Sequence, residues 1–348
     1  MSKKFRRYGL IAGLLFIFAT QGAIAQNSDK EQNKIPNPAH FLTPETVALT
    51  VVHARPDDEG FRSLFDTAWN ALSGASGIGS NYVYATILRL IQGNESNAFS
   101  GLLPAQFIRV DSLVEGSNEP HPTTISTLSD WYGLQVAWYK FQGRNKKGEE
   151  NPKIELDEAT LTLREGYEDP SLGRVLTWLD GTVMSFPSVE RAKFAIDRYS
   201  NGITESPNPE FGELLAGIDT THDTYGVLLN RNGSALKQLR WLNKHDVGRA
   251  EEKVGKERMA RIMDNVLSMT WEGDLVSDNE CKFIVKFRSK TAEDRKELTT
   301  MLREVRSVLD DYGRAGTMET TGLDNELFVD FEMVGYRRML EGYIHRSF

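Results

Sequence analysis

The sequence predicts an α+β protein in which antiparallel sheets are covered by helices, and three observations carry that expectation. Short runs with a side-chain period of two recur along the chain, and stretches with apolar residues at helical spacing stand between them. The order hairpin, helix, strand, helix occurs twice, which raises the expectation of two similar halves. The organisation read from composition is a signal peptide over 1–25, a flexible leader over 26–42, an N-terminal α+β region over 43–245 and a C-terminal α+β region over 246–348.

The first segment places Lys3, Lys4, Arg6 and Arg7 before an apolar run from Leu10 to Ala19 and ends in Ala23-Ile24-Ala25. A charged head, a short apolar middle and an A-x-A end are the marks of a secretory signal. The run is shorter than the roughly 20 apolar residues that span a bilayer, and no later segment is long and uncharged enough, so no membrane span is expected. Arg6-Arg7 invites a twin-arginine reading, but Gly9 stands where that signal carries an apolar residue. The only cysteine is Cys281, so neither an N-terminal lipid anchor nor an internal disulfide is expected. Export to the periplasm or the outside, with cleavage before Gln26, follows as the expectation. The polar leader that comes next has no periodicity.

Ordered structure is expected to begin with a β-branched strand at 47–52. Phe61, Leu64, Phe65, Ala68, Trp69 and Leu72 predict a helix, Gly74, Gly77 and Gly79 a connector, and Tyr84, Ile87, Leu88 and Ile91 a second helix. Strands are expected at 105–112, 134–141 and 159–164. Residues 174–179 and 182–186 flank Asp180-Gly181, the signature of a two-residue hairpin. That register pairs Leu179 with Thr182, Thr177 with Met184 and Val175 with Phe186, and apolar residues on both faces predict a central position in the sheet. Ser188 is the expected N-cap of a helix ending at Asn201-Gly202. A short helix at 211–215, a strand at 225–230, a helix at 234–242 and a charged helix at 247–263 complete the region.

The last part predicts a hairpin from 266–275 and 280–288, a capping box at Thr291 and Asp294, a long helix from Leu298 to Tyr312, a strand at 326–332 and a final helix carrying Tyr336, Met339, Leu340, Tyr343 and Ile344. Alternation puts Leu267, Met269 and Trp271, then Cys281, Phe283, Val285 and Phe287, then Leu327, Val329 and Phe331 on one face under that helix. The other face carries Glu272 and Asp274, Lys282 and Lys286, and Asp330 and Glu332. Acidic, basic, acidic rows predict that strand 280–288 lies between the other two.

The formal charge of −8 falls to about −12 once the four basic residues of the signal are removed, and no basic cluster with interleaved aromatics appears. Nucleic-acid binding, which needs a basic face to neutralise phosphates, is excluded on that ground. No cofactor is expected. There is no G-x-S-x-G for a hydrolase of the α/β type, and Gly74, Gly77 and Gly79 follow a predicted helix and lack the Lys-Ser/Thr ending of a phosphate loop.

Two His-Asp pairs, His222-Asp223 and His245-Asp246, stand between predicted elements without an H-x-x-x-H or H-E-x-x-H run. Capping and turn roles fit them, and Asp219, His222 and Asp223 are the candidate ligands if a metal is bound. Glu155, Asp157 and Glu158 read as a solvated turn, and Asn94 and Asn232 begin formal glycosylation sequons. Cys281 alternates with Phe283 and Val285, which reads as a buried small hydrophobe.

The segment from Leu179 to Asp197, LDGTVMSFPSVERAKFAID, resembles a strand-then-helix pattern of uncharacterised exported bacterial envelope proteins. The resemblance implies a bacterial envelope setting and adds nothing about activity. The function expected is that of a non-catalytic envelope binding or interaction module with a protein or small-molecule partner. Two alternatives stand beside it: a hydrolase whose groups converge only in space, and a carrier of an apolar ligand between helix and sheet.

Overall fold

The computed structural model describes residues 36–53, 55, 104–113, 120–128, 149–164, 175–179, 182–231, 233–235, 244–277, 279–310 and 315–335. The expected signal peptide, the helices at 61–72 and 84–91 with their glycine connector, the strand at 134–141, most of the helix at 234–242, the final helix, Asn94 and Asn232 lie outside the described residues.

In chain order the elements are β1 (Thr46–His53), β2 (Pro104–Leu113), β3 (Pro120–Leu128), β4 (Lys153–Glu155), β5 (Thr160–Leu163), β6 (Val175–Leu179), β7 (Thr182–Phe186), α1 (Val189–Ser200), α2 (Pro209–Ala216), β8 (Thr224–Leu229), α3 (Lys244–Val254), α4 (Lys256–Asp264), β9 (Val266–Ser277), β10 (Glu280–Ser289), α5 (Ala292–Asp310), β11 (Ala315–Leu323) and β12 (Glu326–Val334). Among the described residues all the strands join one 12-stranded sheet in the order β11-β12-β10-β9-β8-β1-β2-β3-β7-β6-β5-β4. Every neighbouring pair is antiparallel.

This corrects the expected α+β class of antiparallel sheets covered by helices in two similar halves: a single sheet dominates the molecule. The physical cause is β8, which hydrogen-bonds β1 on one side and β9 on the other, so no free edge separates two sheets. Strand order also differs between the two supposed repeats. The strand after the first hairpin, β8, is separated from β7 by β3, β2 and β1, whereas β12 lies directly beside β10.

Within the sheet several local expectations hold. The β6–β7 register pairs Leu179 with Thr182, Thr177 with Met184 and Val175 with Phe186, and both strands are interior. β10 lies between β9 and β12, with Lys282 opposite Asp274 on one side and Glu332 on the other. Ser188 Oγ caps α1 by accepting from Arg191 N at 3.3 Å, and Thr291 Oγ1 accepts from Asp294 N at 3.1 Å at the start of α5. The charged helix expected at 247–263 is instead broken into α3 and α4 at Gly255, whose φ of 91° is open to glycine. Leu267 does not join the helix-covered face. A register shift where Ser289 meets Val266 inverts the alternation, so Val266 is buried and Leu267 is 38% exposed.

The apolar residues form two cores on opposite faces of the sheet. One gathers Leu49, Val51, Tyr225, Val227 and Leu229 with Ala192 and Ile196 of α1 and Phe211 of α2. The other gathers Ala48 and Leu228 with residues of α3, α4 and α5. Successive residues of β1 and β8 therefore point into different cores, which is why β8 is buried throughout and β1 at every position but Thr50. Gly226 in β8 lets the Trp271 ring lie against the strand, since a Cβ there would stand 2.1 Å from that ring and 2.4 Å from Leu49 O.

Candidate functional site

The richest polar cluster among the described residues forms where the loop 217–223 leaves α2 and enters β8. Asp219 begins it with an Asx turn: its Oδ1 accepts from Thr221 N at 2.9 Å and from Thr221 Oγ1 at 2.7 Å. Those bonds favour its charged form and hold its pKa below the usual carboxylate value. Three residues on, His222 points at β9, where Glu272 and Asp274 share a face because they are two apart in a strand. His222 Nδ1 lies 2.7 Å from Asp274 Oδ2, and Nε2 lies 3.5 Å from Glu272 Oε2. Backbone amides complete the tie, with Asp219 N donating to Glu272 Oε1 at 3.0 Å and Asp223 N donating to Asp274 Oδ1 at 3.0 Å.

Burial opposes charge on His222, but the hydrogen bond and field of Asp274, followed by the fields of Glu272 and Asp219, outweigh it and raise the imidazole pKa. Asp223 turns the other way. Its Oδ2 accepts from Leu275 N at 2.9 Å and from Arg55 Nη2, and Arg55 Nη2 also donates to Leu275 O at 2.7 Å. The Asp223 carboxyl is nevertheless shifted up, first because it is buried, with the Leu275 amide and Arg55 only partly offsetting that penalty. Asp223 O accepts from His53 N at 2.8 Å, which ties the same residue to β1.

The three candidate ligands thus lie within one loop, but their side chains serve different partners: Asp219 serves its own turn, His222 the β9 carboxylates, and Asp223 the arginine and backbone at the ends of β1 and β9. Among the described residues, no group of three or more His, Cys, Asp or Glu side chains is arranged to hold a metal ion. A catalytic His–Asp pair needs its distal nitrogen free to work on a nucleophile or substrate. Here Nε2 faces a second carboxylate, Glu272. The residues that organise the cluster, Glu272, Asp274 and Arg55, carry no motif, and the only sequence signal for the two acids was their place in an alternating charged row.

The remaining candidates fall outside this cluster. His245 and Asp246 stand in the first turn of α3. Asp157 and Glu158 are exposed between β4 and β5, and Glu155 Oε2 accepts from Thr160 Oγ1 at 2.6 Å. Cys281 is buried and free, with its pKa raised first by burial and then by the nearby Asp223 and Glu280 charges. A structural tie that no motif announced holds the chain entry: the buried Arg198 of α1 donates from Nε to His40 O and from Nη2 to Ala39 O, both at 3.2 Å.

The same sheet face that carries Glu272 and Asp274 continues over β10 and β12. On these interior strands Ile284 is 48% exposed and Phe328 39% exposed. They are diagonal cross-strand neighbours, since Ile284 pairs with Asp330 and Phe328 with Lys286. Around them Lys286 Nζ lies 5.2 Å from the Phe328 ring centroid and 3.0 Å from Glu326 Oε2, and Lys282 Nζ lies 3.3 Å from Glu280 and 3.7 Å from Glu332. The helices α3, α4 and α5 cover the opposite face.

No protein-family model, curated protein or solved structure matches this chain. No helix among the described residues is long and apolar enough to cross a membrane.

Proposed function

We propose that this chain is an exported, non-catalytic interaction module of the cell envelope, working in the periplasm or outside after removal of its signal peptide. The observation that carries the reading is the apolar pair Ile284 and Phe328, left in the middle of a sheet face on interior strands and rimmed by Lys282, Lys286, Asp330 and Glu332. An apolar centre inside a charged rim is the anatomy of a contact surface. The most chemically suggestive cluster supports the same reading from the other side, because His222 and Asp223 are committed to fastening loop 217–223 and the strand ends. The exported-protein pattern at 179–197 adds the setting.

A photo-cross-linking residue placed at Ile284 of the full chain in living cells tests this. A discrete adduct is expected at position 284, diminished by Phe328→Lys and absent when the probe replaces the buried Leu298. An absence of adducts at both 284 and 328 would remove the reading.

A further inference from the structure

The two ends of the sheet are built differently. β4 closes one end with three residues that follow Pro152 and carry exposed Lys153 and Glu155, the short and charged form that discourages further pairing. β11 closes the other end with nine residues, Ala315–Leu323, which contain no proline or lysine and only one charge, Glu319. Thr317, Glu319, Thr321, Gly322 and Leu323 are exposed, and Leu323 reaches 72%.

Along this edge α5 lays two arginines. Arg303 Nη2 donates to Thr320 Oγ1 at 3.3 Å. The Arg295 guanidinium lies on Gly322, where a Cβ would come within 1.8 Å of its Nη1. Among the described residues neither arginine has a carboxylate partner, and Arg295 Nε is buried without a hydrogen bond. On the other side of the same helix, α4 supplies Arg258 and Arg261, which pair with Glu304 at 2.7 Å and Glu297 at 3.2 Å. Two cations of α5, Arg295 and Arg303, therefore lie on the strand that ends the sheet among the described residues, in a chain with more acidic than basic residues.

We propose that β11 receives an extended acidic peptide segment of a partner as an added strand, with Arg295 and Arg303 meeting its carboxylates. The proposal rests on the interaction-module reading and names its partner class. Backbone groups along the outer side of β11 supply main-chain hydrogen bonds to the incoming strand. Thr320 and Gly322 are two residues apart on the same face, about 7 Å along the strand. Acidic side chains at alternate positions of the added strand match that repeat on the arginine side. Gly322 is what permits the geometry, because any side chain there would expel the Arg295 guanidinium.

The test uses the full chain and a fluorescent synthetic peptide of β11 length that alternates Glu with Val and Thr, read by anisotropy. Binding is expected to weaken with rising salt and to fall about tenfold in R295Q/R303Q. It should also fall on Gly322→Val, and vanish for a peptide in which Lys replaces Glu or alternate amides are N-methylated. Thermal melts of both variants establish that the fold persists. The proposal is overturned by equal affinity for the variants or the N-methylated peptide, by no binding at all, or by a self-association through β11 that the same variants abolish. A positive cross-link at Ile284 together with any of these results would leave the module reading standing and dismiss the acidic strand.

Discussion

His222 stands between two carboxylates of β9, with a third, Asp219, in its own loop and the Arg55–Asp223 pair beside it. Lys282 of β10 lies in register with Asp274, but its ammonium is drawn to Glu280 and Glu332, which leaves Asp274 to the imidazole. The His222 pKa is raised above its ordinary 6.5 because these acids together outweigh the cost of burial. A histidine whose folded-state pKa is raised contributes stability that is fully present below pH 6.5 and is lost as pH rises through the higher folded-state value. The difference in melting temperature between the wild type and His222→Gln should therefore be largest in mildly acidic buffer and shrink towards alkaline pH. A difference that stays constant across that range would contradict the charge-based clamp. The sequence offered His222-Asp223 as neighbours but not the acids that give the histidine its role, because those lie on a strand some fifty residues later, and only strand pairing brings them near.

At the scale of elements, alternation and capping were legible because they are local. The β6–β7 register and the Thr291 cap followed from residues a few positions apart. β11 was missed because Met318 is followed on the inward face by Thr320 and Gly322, too little apolar alternation to mark a strand; its partners are the β12 ladder, the second core through Met318, and arginine side chains of α5. Leu267 was misplaced because a register shift inverts a period-two pattern without leaving a mark in composition. Gly226 is the element-level position with the sharpest consequence. A methyl group there meets both the Trp271 ring and the Leu49 carbonyl, and the carbonyl belongs to the backbone of a central strand that cannot yield. Gly226→Ala should destabilise the protein by about 3 kcal/mol, measured by chemical denaturation, because overpacking here has no relief. A loss below the noise of that measurement would show that the β1–β8 contact is looser than described.

Over the whole molecule, β1 and β8 feed alternate side chains into two cores on opposite faces, so each core is anchored to the same pair of strands. Loss of one core removes half the burial of those strands and weakens the other. Leu161→Ala in the first core and Leu298→Ala in the second, each expected to cost about 3 kcal/mol, should therefore lower a single shared unfolding transition. Two separated calorimetric transitions, each sensitive to only one substitution, would show that the cores melt independently. By itself the sequence determined the local period of most described strands and helices, the caps and the net negative charge, because each depends on residue types or on side chains close in the chain. Only the tertiary structure decided that the strands join into one sheet, that its two cores occupy opposite faces, and that His222 meets Glu272 and Asp274. Those facts depend on which strand edges find each other, and backbone hydrogen-bonding groups are the same for nearly every residue, so composition does not encode the choice.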